Sequence, residues 1–184
     1  MGDRIAEIVI LVEDERHANF IRRHLGREYD PRKFRVNKSP LGRGSGEQYV
    51  REQYPLEVKE YRSRASRRSA ALVVVTDADA GTVGARAAQL TQILHNRGER
   101  ERGNDEAIAL LIPRRHIETW ILCLIGEIVN ETTDYKHRDG LDRRIREAAS
   151  ALYEWSRNNY TLPEHCVASL RQAIPELKRI AHQE

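Results

Sequence analysis

Short apolar runs alternate with amphipathic segments along the first 112 residues of the chain. The runs are rich in β-branched residues and too short for helices, which predicts buried strands. They lie at 5–12, 34–36, 72–76 and 107–112. The segments between them space apolar residues three or four apart, which predicts helices. These lie at 14–26, 47–68 and 82–96, with Pro55 marking a kink or break in the second.

The predicted order β-α-β-α-β-α-β indicates an α/β fold. Its strands are apolar throughout rather than alternating, which is typical of a mostly parallel sheet with helices on both faces. After Pro113 the pattern is mainly helical, beginning with a segment at 116–129. We therefore predict a core over residues 1–113 and a helical C-terminal extension over 114–184 that packs on it as a single compact unit.

Composition predicts a soluble protein with a heavily charged surface. The 184 residues are 40% hydrophobic and 32% charged, and no apolar stretch approaches the ~20 residues of a membrane span. Cys123 and Cys166 lack metal-binding or redox spacing, so we expect reduced thiols and a cytoplasmic location. Arginine outnumbers lysine by 26 to 5. Its clusters at 61–68, 113–116 and 142–146 fit either a nucleic-acid surface or solvated helix faces.

Carboxylates follow two of the predicted strands. Glu13 ends the first strand, and Asp77 and Asp79 follow the third. Because parallel strands end at one edge of a sheet, these acids should converge there, and such a group repels itself unless a cation is present. Oxygen ligands favour Mg²⁺ or Mn²⁺ over zinc. The alternative is that Asp77 caps the next helix and Asp79 serves a turn.

The stretches "ILVEDE" (10–15) and "VVVTDADAG" (73–81) together resemble the Toprim domain. This catalytic domain is shared by topoisomerases, bacterial primases, recombination mediators and the nucleases of the overcoming-lysogenization-defect family. The resemblance covers about residues 5–112 and implies a Toprim-like (Rossmann-like) four-stranded sheet. It implies that Glu13 is the acid/base or metal-ligand glutamate and that Asp77 and Asp79 bind the metal. Asp14 stands where the family has glycine, so either Glu13 or Glu15 is the working residue.

Further candidates lie outside these two stretches. The segment "LIPRRHIETWILCLI" (111–125) is similar to one that follows the Toprim core in small relatives, which makes Glu118 a possible fourth metal ligand. The alternative is that Glu118 is a first-turn acid favoured by the helix dipole. Candidate contacts to nucleic acid are Arg43, Arg114, Arg115 and His116. The glycines around Arg43 lack P-loop spacing, so we do not expect ATP hydrolysis by the chain itself.

Together these features predict a Mg²⁺- or Mn²⁺-dependent nuclease or phosphodiesterase in which Glu13, Asp77 and Asp79 act on nucleic acid, with DNA as the expected substrate. The resemblance also implies an ATPase partner protein and a role in anti-phage defence, and no membrane association is expected. One rival is a receiver-like signalling domain phosphorylated on Asp77, although no lysine occurs between Lys59 and Lys136 to complete its site. The other is a non-catalytic nucleic-acid-binding α/β protein.

Overall fold

A computed structural model of the protein describes residues 5–42 and 44–181. Within these ranges the chain forms four strands and six α-helices. In chain order they are β1 (Glu7–Val12), α1 (Glu15–Leu25), β2 (Phe34–Lys38), α2 (Gly46–Ala65), β3 (Ala70–Val75), α3 (Val83–Asn96), β4 (Ile108–Leu111), α4 (Ile117–Leu124), α5 (Leu141–Trp155) and α6 (Ala168–Ala181). The predicted α/β class and element order are confirmed.

The sheet is entirely parallel, with the strand order β2-β1-β3-β4. From β1 the chain moves outward to β2, and it then crosses back to place β3 on the other side of β1. The topological switch point therefore lies between β1 and β3, where the register pairs Val12 with Val75. In open parallel sheets, ligands bind in the crevice beyond the carboxyl ends of the strands at such a point.

Buried apolar side chains explain the stability of this arrangement. All six residues of β3 are buried, and β1 is buried from Ile8 onward, as expected for strands covered on both faces. Helix α2 contacts β1 and β3, whereas α5 packs on α1 and α4, and α6 packs on β4. The C-terminal helices thus complete the same core that the sheet begins.

Two helices differ from their predictions. Helix α2 continues through Pro55, so the chain is not broken there, and it ends at Ala65. The helix predicted over 116–129 ends at Leu124, because Gly126 adopts a positive φ of 90° that an α-helix does not accommodate.

Candidate metal centre

Glu13 and Asp77 meet at the switch point between β1 and β3. The Glu13 Oε1 atom accepts a hydrogen bond of 2.7 Å from the Thr76 hydroxyl and another of 2.7 Å from the Asp77 backbone N–H. Both donors belong to residues directly after β3. The carboxylate that leaves β1 is therefore held across the carboxyl end of the neighbouring strand.

The beginning of α2 closes over the same glutamate. A Cβ atom placed on Gly46 would lie 2.8 Å from both the Cβ and the carbonyl oxygen of Glu13, closer than real Cβ contacts occur. Ser45 caps α2 by accepting the Gln48 N–H, which sets the helix on this path. Glycine at position 46 is therefore what allows α2 to approach Glu13.

His17, on α1, lies close to the carboxylates of Glu13 and Asp77. Asp14 caps α1 by accepting the His17 backbone N–H, and its Oδ1 also lies 2.8 Å from His17 Nδ1. The other ring nitrogen, Nε2, lies 3.0 Å from Asp77 Oδ1. Asp14 thus starts the helix and orients the imidazole toward Asp77.

Burial and mutual charge perturb this group strongly. Burial, followed by repulsion from Asp77, raises the pKa of Glu13 to about 7, although His17 and the two hydrogen bonds act in the opposite direction. Burial alone would also raise the pKa of Asp77, but His17 and His116 outweigh it and hold that pKa below its ordinary value. For His17, burial lowers the pKa, yet Asp77 and Asp14 outweigh it and leave the pKa well above 6.5.

Glu13, His17 and Asp77 form a group that could hold a metal ion. One potential ligand atom from each lies within 4.8 Å of the others, and both His17 and Asp77 are buried. Two carboxylates provide the oxygen donors that hard divalent cations prefer. The imidazole carries a carboxylate on its second nitrogen, which is the usual arrangement around a metal-ligating histidine.

Asp79 lies beside this group in a different environment. It has a φ of 51°, and its side chain is 45% exposed. Its backbone N–H donates to the Arg115 carbonyl, so the turn after β3 is joined to the turn after β4. The side chain lies 3.5 Å from Arg86 Nη2. Asp79 therefore serves a turn, as the alternative predicted, while its carboxylate remains accessible at the site.

The capping role considered for Asp77 is wrong, because α3 is capped by another residue. Thr82 accepts the Ala85 N–H at the start of that helix. Asp77 is 1% exposed, and its backbone carbonyl accepts a hydrogen bond of 3.0 Å from Arg86 Nε. Arg86 also contacts Glu47 on α2, so it links the turn after β3 to two neighbouring helices.

Glu118 is placed in the first turn of α4 and pairs with α1. Its Oε1 lies 2.5 Å from Arg16 Nη1, and Arg16 in turn donates to Asp142 on α5. Trp120, two residues on, is fully buried in the core. Glu118 is outside the group formed by Glu13, His17 and Asp77. The contact with Arg16 therefore gives it a helix-bridging role in this structure.

The residues predicted to contact nucleic acid lie in different environments. Arg114 is exposed, whereas Arg115 is half-buried with a φ of 73° and lies 3.9 Å from Asp134. His116 is buried, with Nδ1 at 3.4 Å from Asp77 Oδ2 and 3.6 Å from Asp79 Oδ1, and with Asp134 on its other side. It therefore faces carboxylates rather than open solvent. Arg43 lies outside the described residues.

The side chains of Glu13 and Glu15 lie in different environments. Glu15 is exposed at the start of α1 and pairs with Lys38, whereas Glu13 lies against Asp77. The residue that the sequence reasoning missed is His17. Its spacing of three from Asp14 at a predicted helix start was the available signal, because residues three apart share a helix face.

Comparison of the chain with protein-family models, with characterised proteins and with solved structures finds no match. Within residues 5–42 and 44–181, none of the helices combines the length and apolar character needed to cross a membrane.

Proposed function

We propose that this protein is a divalent-cation-dependent phosphodiesterase that acts on nucleic acid. The observation that carries the proposal is the buried group of Glu13, His17 and Asp77 at the switch point of the parallel sheet. Ligand sites in such folds occur at this position. The resemblance to the Toprim domain suggests phosphodiester chemistry as the reaction class, and it implies Glu13 and Asp77 as site residues.

The donor set fits a hard divalent cation. Within the described residues, the hydrogen bonds of the Glu13 carboxylate end on Oε1, which leaves Oε2 available as a ligand. Asp77 contributes a second buried carboxylate, and Asp79 offers an accessible third one beside it. A cation bound here would neutralise negative charge on a phosphodiester and activate water. The two carboxylates suit Mg²⁺ and Mn²⁺, whereas an imidazole ligand is more typical of transition-metal ions and favours Mn²⁺ over Mg²⁺.

The protein's own residues have separable tasks in this proposal. Thr76 holds the Glu13 carboxylate in place, and Asp14 holds the ring of His17. Glu13 is the residue for proton transfer, as the resemblance implies. Arg86 ties the Asp77 backbone to α3 and places a positive charge near Asp79. The ATPase partner that the resemblance implies belongs to the same proposal.

The receiver alternative is less well supported by the geometry. Phosphorylation requires an aspartate oxygen that a phosphodonor can reach, but Asp77 is 1% exposed. Its Oδ1 faces His17 at 3.0 Å, and its Oδ2 faces His116 at 3.4 Å. Both histidines would have to move before Asp77 could act as a phosphoryl acceptor.

The test compares two neighbouring glutamates. Wild type, Glu13→Gln, Asp77→Asn and the matched control Glu15→Gln are titrated calorimetrically with MnCl₂ and MgCl₂. The same proteins are then incubated with supercoiled plasmid and with labelled single-stranded DNA and RNA. We expect wild type and Glu15→Gln to bind the cation and cleave, and we expect the Glu13 and Asp77 variants to lose both properties. Glu15 is the control because it is exposed and paired with Lys38.

Equal cleavage by wild type and Asp77→Asn would refute the proposal, as would unchanged cation binding by Glu13→Gln. Labelling of Asp77 by acetyl phosphate would instead support the receiver alternative. Nucleic-acid binding without cation binding or cleavage would leave the non-catalytic alternative. Circular dichroism of each variant separates loss of the site from loss of the fold.

A further inference from the structure

A groove of about 560 Å³ lies on the side of the molecule where α1, β2 and α5 meet. Residues of α1 from Glu15 to Gly26 form one wall, Phe34 of β2 lies at another, and Arg146 and Ser150 of α5 close it. Four arginines line this groove: Arg22, Arg23, Arg27 and Arg146. Of the four, Arg146 belongs to the sequence cluster at 142–146, and the other three lie outside the clusters.

Among the residues that the structure describes, these four arginines have no carboxylate partner, unlike most other arginines there. Arg22 and Arg146 form no side-chain hydrogen bond or ion pair within residues 5–42 and 44–181. Arg23 donates to the Asn19 side chain at 2.8 Å, and Arg27 donates to the Ser150 hydroxyl. In contrast, structural arginines such as Arg62 and Arg102 pair with glutamates.

Acidic side chains do not cancel this charge inside the groove. Glu15 is the acidic residue in the lining, and it pairs with Lys38. On α5, Asp142 is engaged by Arg16, and Glu147 is engaged by Arg144. The groove therefore concentrates uncompensated guanidinium groups. Their planar donor geometry matches phosphate oxygens, and they are more weakly hydrated than ammonium groups.

The groove and the candidate metal centre share the start of α1. Glu15 lines the groove two residues after Glu13, and α1 carries Arg22 and Arg23 further along the same wall. At about 1.5 Å per helical residue, Arg22 lies roughly 10 Å and Arg23 roughly 12 Å along the axis from Glu15. A nucleic-acid strand that lies along this wall would approach the start of α1, where Asp14 and His17 adjoin the candidate metal centre.

We propose that this groove binds the phosphodiester backbone of a nucleic-acid strand and directs it to the Glu13–Asp77 edge of the sheet. The proposal deepens the proposed function by naming its substrate track, and it rests on that function for the reaction but not for the binding. Recognition by four arginines through phosphates is independent of base sequence. Binding should therefore be salt-dependent and should require no divalent cation.

The test measures binding of labelled 20-mer oligonucleotides by fluorescence anisotropy in EDTA over a series of NaCl concentrations. The groove variant is Arg22→Gln/Arg146→Gln, because these two residues lack partners whose loss would disturb the fold. The matched control, Arg67→Gln/Arg97→Gln, removes the same charge from exposed arginines. Arg67 follows α2 and Arg97 follows α3, and neither residue lines the groove.

We expect the groove variant to bind at least tenfold more weakly than wild type at low salt, since each lost arginine removes a charge-assisted contact. For a single strand, its plot of log K against log salt should become shallower by about 1.4, from two phosphate contacts at about 0.7 each. The control variant should bind like wild type. Single-stranded DNA, single-stranded RNA and duplex DNA are compared in parallel to identify the source of the phosphates.

Equal binding by wild type and the groove variant would overturn the proposal, and so would absence of oligonucleotide binding by wild type. Binding of the wild-type protein to vesicles of phosphatidylserine and phosphatidylcholine, without oligonucleotide binding, would also overturn the proposal. Groove-dependent binding without cation-dependent cleavage would then refute the proposed function while the groove assignment stands.

Discussion

His24 provides a test of the packing between α1 and α5. It is 6% exposed, and its Nδ1 atom has no hydrogen-bond partner among the residues that the structure describes. Its ring is tilted against that of Tyr153 at a centroid distance of 6.3 Å, and it also contacts the Ala149 backbone. The titratable and charged side chains that share its cavity of about 550 Å³ are Glu28, Tyr29, Tyr153, Glu154, Arg157, Tyr160 and Lys178.

Burial lowers the pKa of His24 from 6.5 to about 4, because the charged ring loses its hydration without gaining an acidic partner. The unfolded chain therefore binds more protons than the folded chain between these two pH values. Stability from this residue is present above pH 6.5 and is lost as the pH falls toward 4. The whole difference amounts to about 3 kcal/mol, of which about 2 kcal/mol is lost by pH 5.

The assay is urea unfolding at pH 7.5 and at pH 5 for wild type, His24→Gln and His24→Phe. We expect the free energy of unfolding of wild type to fall by about 2 kcal/mol more than that of either variant over this interval. Other titrating groups contribute equally to all three proteins and cancel in the difference. The matched control is His95→Gln, on the exposed side of α3, which should follow wild type.

An equal loss of unfolding free energy in wild type and both His24 variants would refute the reasoning, because it would show that burial does not disfavour the charged ring. The two variants guard against a specific packing defect. Glutamine leaves a polar side chain in place of the ring, whereas phenylalanine keeps a ring beside Tyr153. Agreement between them therefore assigns the pH dependence to the imidazole.

Two further outcomes follow from local contacts. Gly46→Ala should destabilise the protein by about 1–3 kcal/mol, because the new Cβ would lie 2.8 Å from Glu13. The control, Gly84→Ala, should be neutral or stabilising by up to about 1 kcal/mol, because its Cβ would meet nothing within 4 Å. Thermal unfolding of both checks this, and an equal effect would contradict the close approach. Ser169→Ala should lower the free energy of unfolding by about 1–3 kcal/mol, because the buried Trp120 Nε1–H loses its acceptor at 2.7 Å. Chemical denaturation measures this loss, and an unchanged midpoint would show that the hydrogen bond does not stabilise the fold.

Local sequence patterns determined the sheet and the first acidic residues of the candidate site. Continuous apolar runs predicted strands covered on both faces, and the parallel order followed from the helices between them. Because each strand in such a sheet ends at the same edge, Glu13 and Asp77 were predicted to approach each other without knowledge of the tertiary structure. The structure places them in contact through the Asp77 backbone N–H.

Other parts of the site depend on contacts that no local pattern contains. His17 belongs to the group because Asp14 turns its ring toward a residue 60 positions away. Glu118 lies with Arg16 instead of the acids because α4 and α1 both pack on α5. Periodicity indicates which face of a helix is apolar, but it does not specify which neighbour that face meets. The sequence by itself therefore determined the acidic edge of the sheet, and only tertiary packing decided which residues complete it.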